Sequence, residues 1–215
     1  MNMKAGKFIT VEGVEGVGKT TNIAFIKQWL DQQGIEHITT REPGGTPLAE
    51  GIRELLLSRR EETVNENTEL LMMFAARAQH LAEVILPALN RGRWVLCDRF
   101  TDATYAYQGG GRGVAMEKIA LLENLVQGDL RPDMTLLLDI PVFQGLERAR
   151  NRSEPDRFEQ EKLKFFEKVR NCYLSRAKSV PQQYRLIDAS QSLENVQIDI
   201  QRVLAEFVRV LESNT

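Results

Sequence analysis

Apolar residues in this chain gather into two kinds of run. Five are short and nearly unbroken: Lys7–Glu12 (KFITVE), Glu36–Arg41 (EHITTR), Arg93–Asp98 (RWVLCD), Asp133–Asp139 (DMTLLLD) and Tyr184–Asp188 (YRLID). Runs of this length without clean alternation are expected of strands covered on both faces. Between them, apolar positions recur at three- and four-residue spacing. Thr20–Gln33 carries Ile23, Phe25, Ile26, Trp29 and Leu30, and Pro47–Leu57 carries Leu48, Ile52, Leu55 and Leu56. A longer helix, capped by Asn67, presents Leu70, Met73, Phe74, Arg77, Leu81, Val84 and Ile85 and ends near Gly92. Further helices are predicted over Met116–Gln127, Val142–Arg150, Glu159–Val180 and Leu193–Leu211. Strands alternating with helices of crossover length predict an α/β three-layer fold around a five-stranded parallel sheet. No repeat, low-complexity tract or Pro/Gly/Ser linker divides the chain, so residues 1–215 read as a single domain.

Composition narrows the function classes. A chain of 215 residues, 42% hydrophobic and 27% charged, has enough apolar material for one sizeable core, which excludes disorder and collagen-like repeats. The 28 basic and 30 acidic residues give a net charge of −2, so bulk electrostatics point to neither nucleic acid nor a membrane surface as partner. Cys97 and Cys172 form no CxxC and have no His-rich neighbourhood, which argues against a disulfide framework or a zinc site. No stretch has signal-peptide character and no run approaches 18 uninterrupted apolar residues, so the expected location is the cytoplasm. His37 and His80 stand apart from other ligand types and are read as structural or exposed, and Cys97 as a small core residue. The basic residues divide into 19 Arg and 9 Lys, a skew toward the side chain that forks onto phosphates and carboxylates.

The strongest chemical signal is Gly13-Val14-Glu15-Gly16-Val17-Gly18-Lys19-Thr20, a full G-x-x-x-x-G-K-T string directly after one predicted strand and directly before a predicted helix. Glycines let consecutive N–H groups point into one concavity, the helix that follows adds the positive end of its dipole, and a polyphosphate fits there. Lys19 supplies a mobile charge for the β- and γ-phosphates, and the Thr20 hydroxyl is placed to ligate Mg²⁺. A plain Gly-rich turn would leave Lys19 without a purpose. Glu15 is the odd member, since a carboxylate is repelled by a triphosphate. It is expected to point away, toward a sugar hydroxyl or into solvent.

Four further motifs follow in order: REPGG at Arg41–Gly45, DRF at Asp98–Phe100, AYQGGGRG at Ala106–Gly113 and an Arg-rich segment ending in DRFE at Asp156–Glu159. With these the chain resembles the bacterial thymidylate kinases along nearly its whole length. The resemblance implies a P-loop nucleoside monophosphate kinase fold, transfer of the γ-phosphoryl of ATP to dTMP with Mg²⁺, a homodimer, and a lid at about residues 142–158.

It also implies roles. Arg99 and Arg53 correspond to acceptor-phosphate arginines, and Asp98, at the end of a predicted central strand, sits near Mg²⁺ or its waters. Arg77 and an aromatic residue flank the thymine. The family's usual slot for that aromatic, four residues before the arginine, holds Met73 here, and Phe74 stands one place later. Phe74 is favoured, with a local helix adjustment. Thr104, Tyr107 and Gln108 match positions lining base and sugar, with Tyr107 excluding a ribose 2′-OH and Gln108 offering a donor and an acceptor to a pyrimidine edge. The glycines from Gly109 to Gly113 are expected to form a flexible loop. The phosphate loop contains no arginine, so the lid is expected to supply one for the moving phosphoryl group. Arg152 is assigned that role and Arg148 the adenine face.

A phosphate-loop switch protein is the rival from another class. It fits less well, because no NKxD guanine signature is present and the DxxG string Asp31–Gly34 lies at a helix end. On the kinase reading Arg41, Arg53, Arg77, Arg99, Arg112, Arg148, Arg150, Arg152 and Arg157 converge on one cleft, and the balancing acids are expected to lie largely elsewhere.

Overall fold

The structure, a computed structural model, describes residues 6–150, 157–158 and 161–213, with Arg150 by its backbone alone. Five strands, β1 (Phe8–Glu12), β2 (His37–Arg41), β3 (Trp94–Asp98), β4 (Met134–Asp139) and β5 (Tyr184–Asp188), form one sheet in the order β2-β3-β1-β4-β5. Every pairing is parallel, with Thr10 opposite both Cys97 and Thr135 across the centre. Each strand starts within one residue of the predicted run. The central strand β1 is buried throughout and serves two cores. Phe8 packs with Leu81, Ile85, Val95, Cys97 and Phe100 on one face, whereas Ile9 and Val11 pack with Ile26, Leu30, Leu136 and Ile200 on the other.

Helices α1 (Lys19–Gln32), α2 (Pro47–Leu57), α6 (Met116–Gln127), α7 (Val142–Arg150), α8 (Leu163–Ser179) and α9 (Leu193–Ser213) fall where the periodicity puts them. The start of α2 is fixed locally: Pro47 occupies its first turn and the Thr46 hydroxyl accepts the Ala49 N–H at 3.2 Å. Helix α8 begins later than predicted, after the extended residue Lys162, and α9 runs on to Ser213.

Two predicted features are corrected. The long helix is capped by Asn65, whose side chain accepts the Asn67 N–H at 2.9 Å, so Asn67 lies inside it. That helix runs as α3 (Glu66–His80), a π-helical turn Leu81–Ile85 and α4 (Leu86–Asn90). Pro87, in the first turn of α4, has no N–H to continue the regular ladder and its ring crowds the carbonyl four residues back, a sufficient cause for the wider turn.

The Gly-rich run is helix as well. Short helix α5 (Thr101–Thr104) passes into a second π-helical stretch, Tyr105–Gly111. Its glycines are there for close approach: a Cβ on Gly110 would lie 2.8 Å from the Cys172 Cβ, and one on Gly111 2.4 Å from the Phe165 ring. Their absent side chains let α8 press against this stretch, so the glycines serve packing where flexibility was expected.

Chain direction places the site. From β1 the connection runs toward β2, and from the adjacent β3 it runs the opposite way toward β4. Ligands of open parallel sheets bind where such connections diverge, beyond the carboxyl ends of the strands.

Candidate active site

A cavity of about 310 Å³ opens at that point, lined by the phosphate loop, the REPGG turn, α3, the end of β3 and the Tyr105–Gly111 stretch. The loop wraps the space as the string predicts. Gly16 has φ of 74° and Gly18 of 85°, conformations that favour glycine. Val14 and Val17 are buried apolar anchors, so their contribution to ligand is through the backbone. A Cβ on Gly16 would fall 1.7 Å from the Gly145 carbonyl oxygen, and one on Gly145 would fall 2.5 Å from that of Glu15. The first turns of α7, where the predicted lid begins, therefore sit directly on the loop.

Lys19 is folded back, its Nζ donating to the carbonyls of Gly13 at 3.3 Å and Val14 at 3.4 Å. Burial, reinforced by the Arg99 charge, lowers its pKa, so the fold holds this cation at a cost that an anion in the loop would offset. Thr20 is exposed and lines the cavity. Asp98 lines it too, and its buried Oδ1 has no hydrogen-bond partner. A hydroxyl and an unpaired carboxylate oxygen on residues of one cavity suit Mg²⁺, which takes few protein ligands and completes its shell with water and substrate phosphates. Among the described residues no group of three or more His, Cys, Asp or Glu could hold a metal by itself.

Glu15, which lines the cavity, is held by protein partners. Its Oε1 accepts from Arg99 Nη2 at 2.8 Å and from the Tyr107 hydroxyl at 2.7 Å. Arg99 has φ of 68°, rare for a residue with a side chain. Its N–H donates to the Val11 carbonyl at 3.0 Å, its Nη1 to the Gly13 carbonyl at 3.1 Å and to the Tyr173 hydroxyl at 3.2 Å, and its guanidinium lies 4.8 Å from the centre of the Tyr107 ring. Behind it Glu12, fully buried, accepts the Phe100 N–H at 2.7 Å and the Tyr173 hydroxyl at 2.8 Å. Burial, with the Asp102 carboxylate adding to it, pushes the Glu12 carboxyl up to about 8. Glu12 and Tyr173 are site residues that the sequence reading missed. The signal for Glu12 was a lone carboxylate ending an apolar strand; Tyr173 had none.

Across the cavity Arg77 is 3% exposed. Its Nε donates to Glu42 Oε2 at 2.7 Å and its Nη2 to Thr104 Oγ1 at 2.9 Å and the Phe100 carbonyl at 3.2 Å, while Nη1 has no partner. Glu42 also pairs with His80 Nδ1 at 3.0 Å, and His80 Nε2 with Thr40 Oγ1 at 2.7 Å. His80 is thus structural, holding the carboxylate that holds Arg77. Arg53 donates to the Pro43 carbonyl at 2.8 Å and Arg41 to Glu50 at 2.7 Å, both lining the cavity. Gln108 donates one amide N–H to Glu69 at 2.8 Å, and its Oε1 is buried and unpaired.

The structure sets Met73 and the favoured Phe74 apart. Met73 lines the cavity, whereas Phe74 is 2% exposed and packs with Leu70, Tyr105, Val114 and Ile119. Helix α3 is regular here and the π turn comes only at Leu81; the Arg77 guanidinium lies 4.8 Å from the Phe74 ring centre.

The predicted lid is described in part. Arg152 lies outside the described residues, as does the side chain of Arg150. Arg148 donates to the Ala189 carbonyl at 2.9 Å. Arg157 donates to the Leu56 carbonyl at 2.8 Å and to Glu69 at 2.5 Å, and Phe158 beside it lines the cavity. Arg112 pairs with Glu69 and Glu161. The balancing acids are therefore not elsewhere. Arg99 faces Glu15, Arg77 faces Glu42, Arg41 faces Glu50, and Arg112 and Arg157 share Glu69. A partly or fully buried guanidinium requires such a partner.

Comparison with known proteins bears on this geometry. Residues 11–200 match the family model described as thymidylate kinase. A thymidylate kinase of Teredinibacter turnerae is 62% identical over 203 residues, 94% of this chain and 99% of that protein. One from Pseudomonas syringae pv. tomato is 60% identical over 205 residues, 95% of this chain and 98% of that protein. Among solved structures, the thymidylate kinase of Ehrlichia chaffeensis superposes with a TM-score of 0.74 at 31% identity, covering 93% of this chain and 99% of that one.

Proposed function

The chain belongs to the thymidylate kinase family, and from that premise we propose that ATP is its phosphoryl donor, Mg²⁺ the ion that accompanies it, and the cavity between loop and α3 the place where both nucleotides meet. It is a phosphotransferase acting on small-molecule substrates, with thymidylate as acceptor. The N–H groups of Gly13–Thr20 and the ammonium of Lys19 hold the donor phosphates. Thr20 and Asp98 hold Mg²⁺, which supplies charge neutralisation at the phosphate oxygens. Arg99 and Arg53 hold the acceptor phosphate. Arg77, with Nη1 to spare and Thr104 bracing it, meets a carbonyl of the base; Met73 covers the ring, and Tyr107 excludes a 2′-hydroxyl. Glu15, tied to Tyr107, reaches the sugar. Arg148 lies beside the adenine, and Arg152 of the lid stabilises the moving group. An oxygen of the dTMP phosphate attacks the γ-phosphorus as the bond to the bridging oxygen breaks, giving dTDP and ADP. That oxygen is already ionised, so no strong base is needed, and alignment and water exclusion carry the rate. A cytoplasmic homodimer of this single domain completes the reading.

The observation that carries it is Arg99, which bonds the loop at Gly13 and Glu15 while lying over Tyr107 of the opposite wall. The test is ADP formation from ATP and Mg²⁺ with dTMP, dUMP, dCMP, AMP or thymidine as acceptor. Fastest turnover is expected with dTMP; no turnover with dTMP, or a better acceptor, overturns the reading. Arg152→Ala is expected to lower kcat by orders of magnitude with little change in KM for dTMP.

A further inference from the structure

We propose that Glu69 is a positioning residue that ties the cleft amide of Gln108 to Arg157, so that selection of the acceptor base depends on one buried carboxylate. Glu69 sits on α3 and is 1% exposed, a depth at which a carboxylate persists only when its oxygens are occupied by donors. Its Oε2 accepts from Arg157 Nη2 at 2.5 Å, while its Oε1 accepts from Gln108 Nε2 at 2.8 Å and lies 3.5 Å from Arg112 Nε. Two arginines would satisfy the charge. The third partner, Gln108, is a residue of the cavity wall.

Both ends of this tie have consequences. With one N–H of Nε2 held by Glu69, the amide is fixed in one orientation, and its Oε1 is left as an unpaired acceptor. A fixed acceptor complements the N3–H of thymine or uracil and repels the N3 lone pair of cytosine. At the other end Arg157 also donates to the Leu56 carbonyl in the last turn of α2 at 2.8 Å. Its neighbour Phe158 packs edge-on against Tyr107, ring centres 5.9 Å apart. Arg157 and Phe158 are thus both seated on the cavity wall, through Glu69 at one residue and Tyr107 at the next. A neutral amide at position 69 could neither attract two guanidinium groups nor fix which way the Gln108 amide faces.

This inference rests on the assignment of the cleft to dTMP, and the experiment separates the two. The quantities to measure are KM for dTMP and the ratio of kcat/KM for dTMP over dCMP, in the full-length enzyme and in Glu69→Gln and Arg157→Gln. Glu69→Gln is expected to raise KM about tenfold and to shrink the ratio by a similar factor, the consequence of leaving buried partners unpaired. Arg157→Gln, which cuts the tie on the lid side alone, is expected to shrink the ratio about threefold. An unchanged ratio in both variants, in a protein that phosphorylates dTMP normally, overturns the role of Glu69. Wild-type protein that does not prefer dTMP overturns the functional reading instead. If Glu69→Gln does not fold, Arg157→Gln decides by itself, because its side chain is partly exposed at 17% and its removal leaves Glu69 with Arg112.

Discussion

On one bank of the cleft the residues from Gly13 to Thr20 present main-chain groups, with Lys19 laid loosely over two carbonyls. On the other, Arg77, Glu42, His80, Thr40 and Thr104 hold one another through side-chain bonds of 2.7 to 3.0 Å. The first bank is shaped by backbone conformation and waits for an anion to repay its buried cation. The second is shaped by charge pairing and is braced before any ligand arrives, with Arg77 Nη1 alone of its guanidinium nitrogens unpartnered. One bank is therefore expected to lose chemistry without losing stability, and the other to lose both together.

The largest effect that would break this contrast is on the donor side. Lys19→Ala is expected to lower kcat about 10²–10³-fold while thermal unfolding stays the same or moves upward, since the variant removes a cation the fold holds unfavourably. A clear fall in Tm would mean that the lysine braces the loop. Next is Glu42→Gln on the acceptor side, where Glu42 and Arg77 have side-chain exposures of 4% and 3%. Breaking a buried pair costs roughly 3–5 kcal/mol, and urea unfolding together with KM for dTMP should show loss of stability and of acceptor binding at once. Intact stability would sink the idea of a prebuilt bank.

The smallest effect is a slope. Glu12 lies behind both banks and keeps its proton up to about 8, against 4.5 for an ordinary carboxyl. Between those values the native state binds more protons than the unfolded chain, so this group's contribution to stability is present at low pH and fades as pH rises toward 8. In Glu12→Gln the decline of Tm between about pH 5 and 8 should be shallower than in the wild type. Parallel curves would show that Glu12 is ionised throughout.

The same contrast decides what could be read from the amino-acid order. Strands such as Phe8–Glu12 and helices such as Pro47–Leu57 and Met116–Gln127 are written in local periodicity, and the phosphate loop is written in eight consecutive residues. The acceptor bank joins Glu42 to Arg77 and Glu69 to Gln108 and Arg157, pairs that only the folded sheet brings together. Nothing near Glu42 or Glu69 announces a partner. Local misreadings have local causes: Asn65 and Asn67 both suit a cap, and Gly109–Gly111 read as a loop because the helix that needs their bareness lies more than fifty residues further on, at Phe165 and Cys172. Met73 and Phe74 are apolar neighbours on one helix, and the side that faces the cavity follows from how α3 is seated against Tyr105 and Ile119.

The contact between Gly16 and Gly145 bears on which substitutions the chain can accept through descent. Either methyl group would strike main-chain atoms of the other segment, at 1.7 Å and 2.5 Å, and no side chain can swing aside to make room. Gly145 thus inherits the intolerance of a string that ends at Thr20, as a position of the phosphate loop in all but chain order. Variation at Gly145 is restricted by the backbone of a loop more than a hundred residues earlier in the chain.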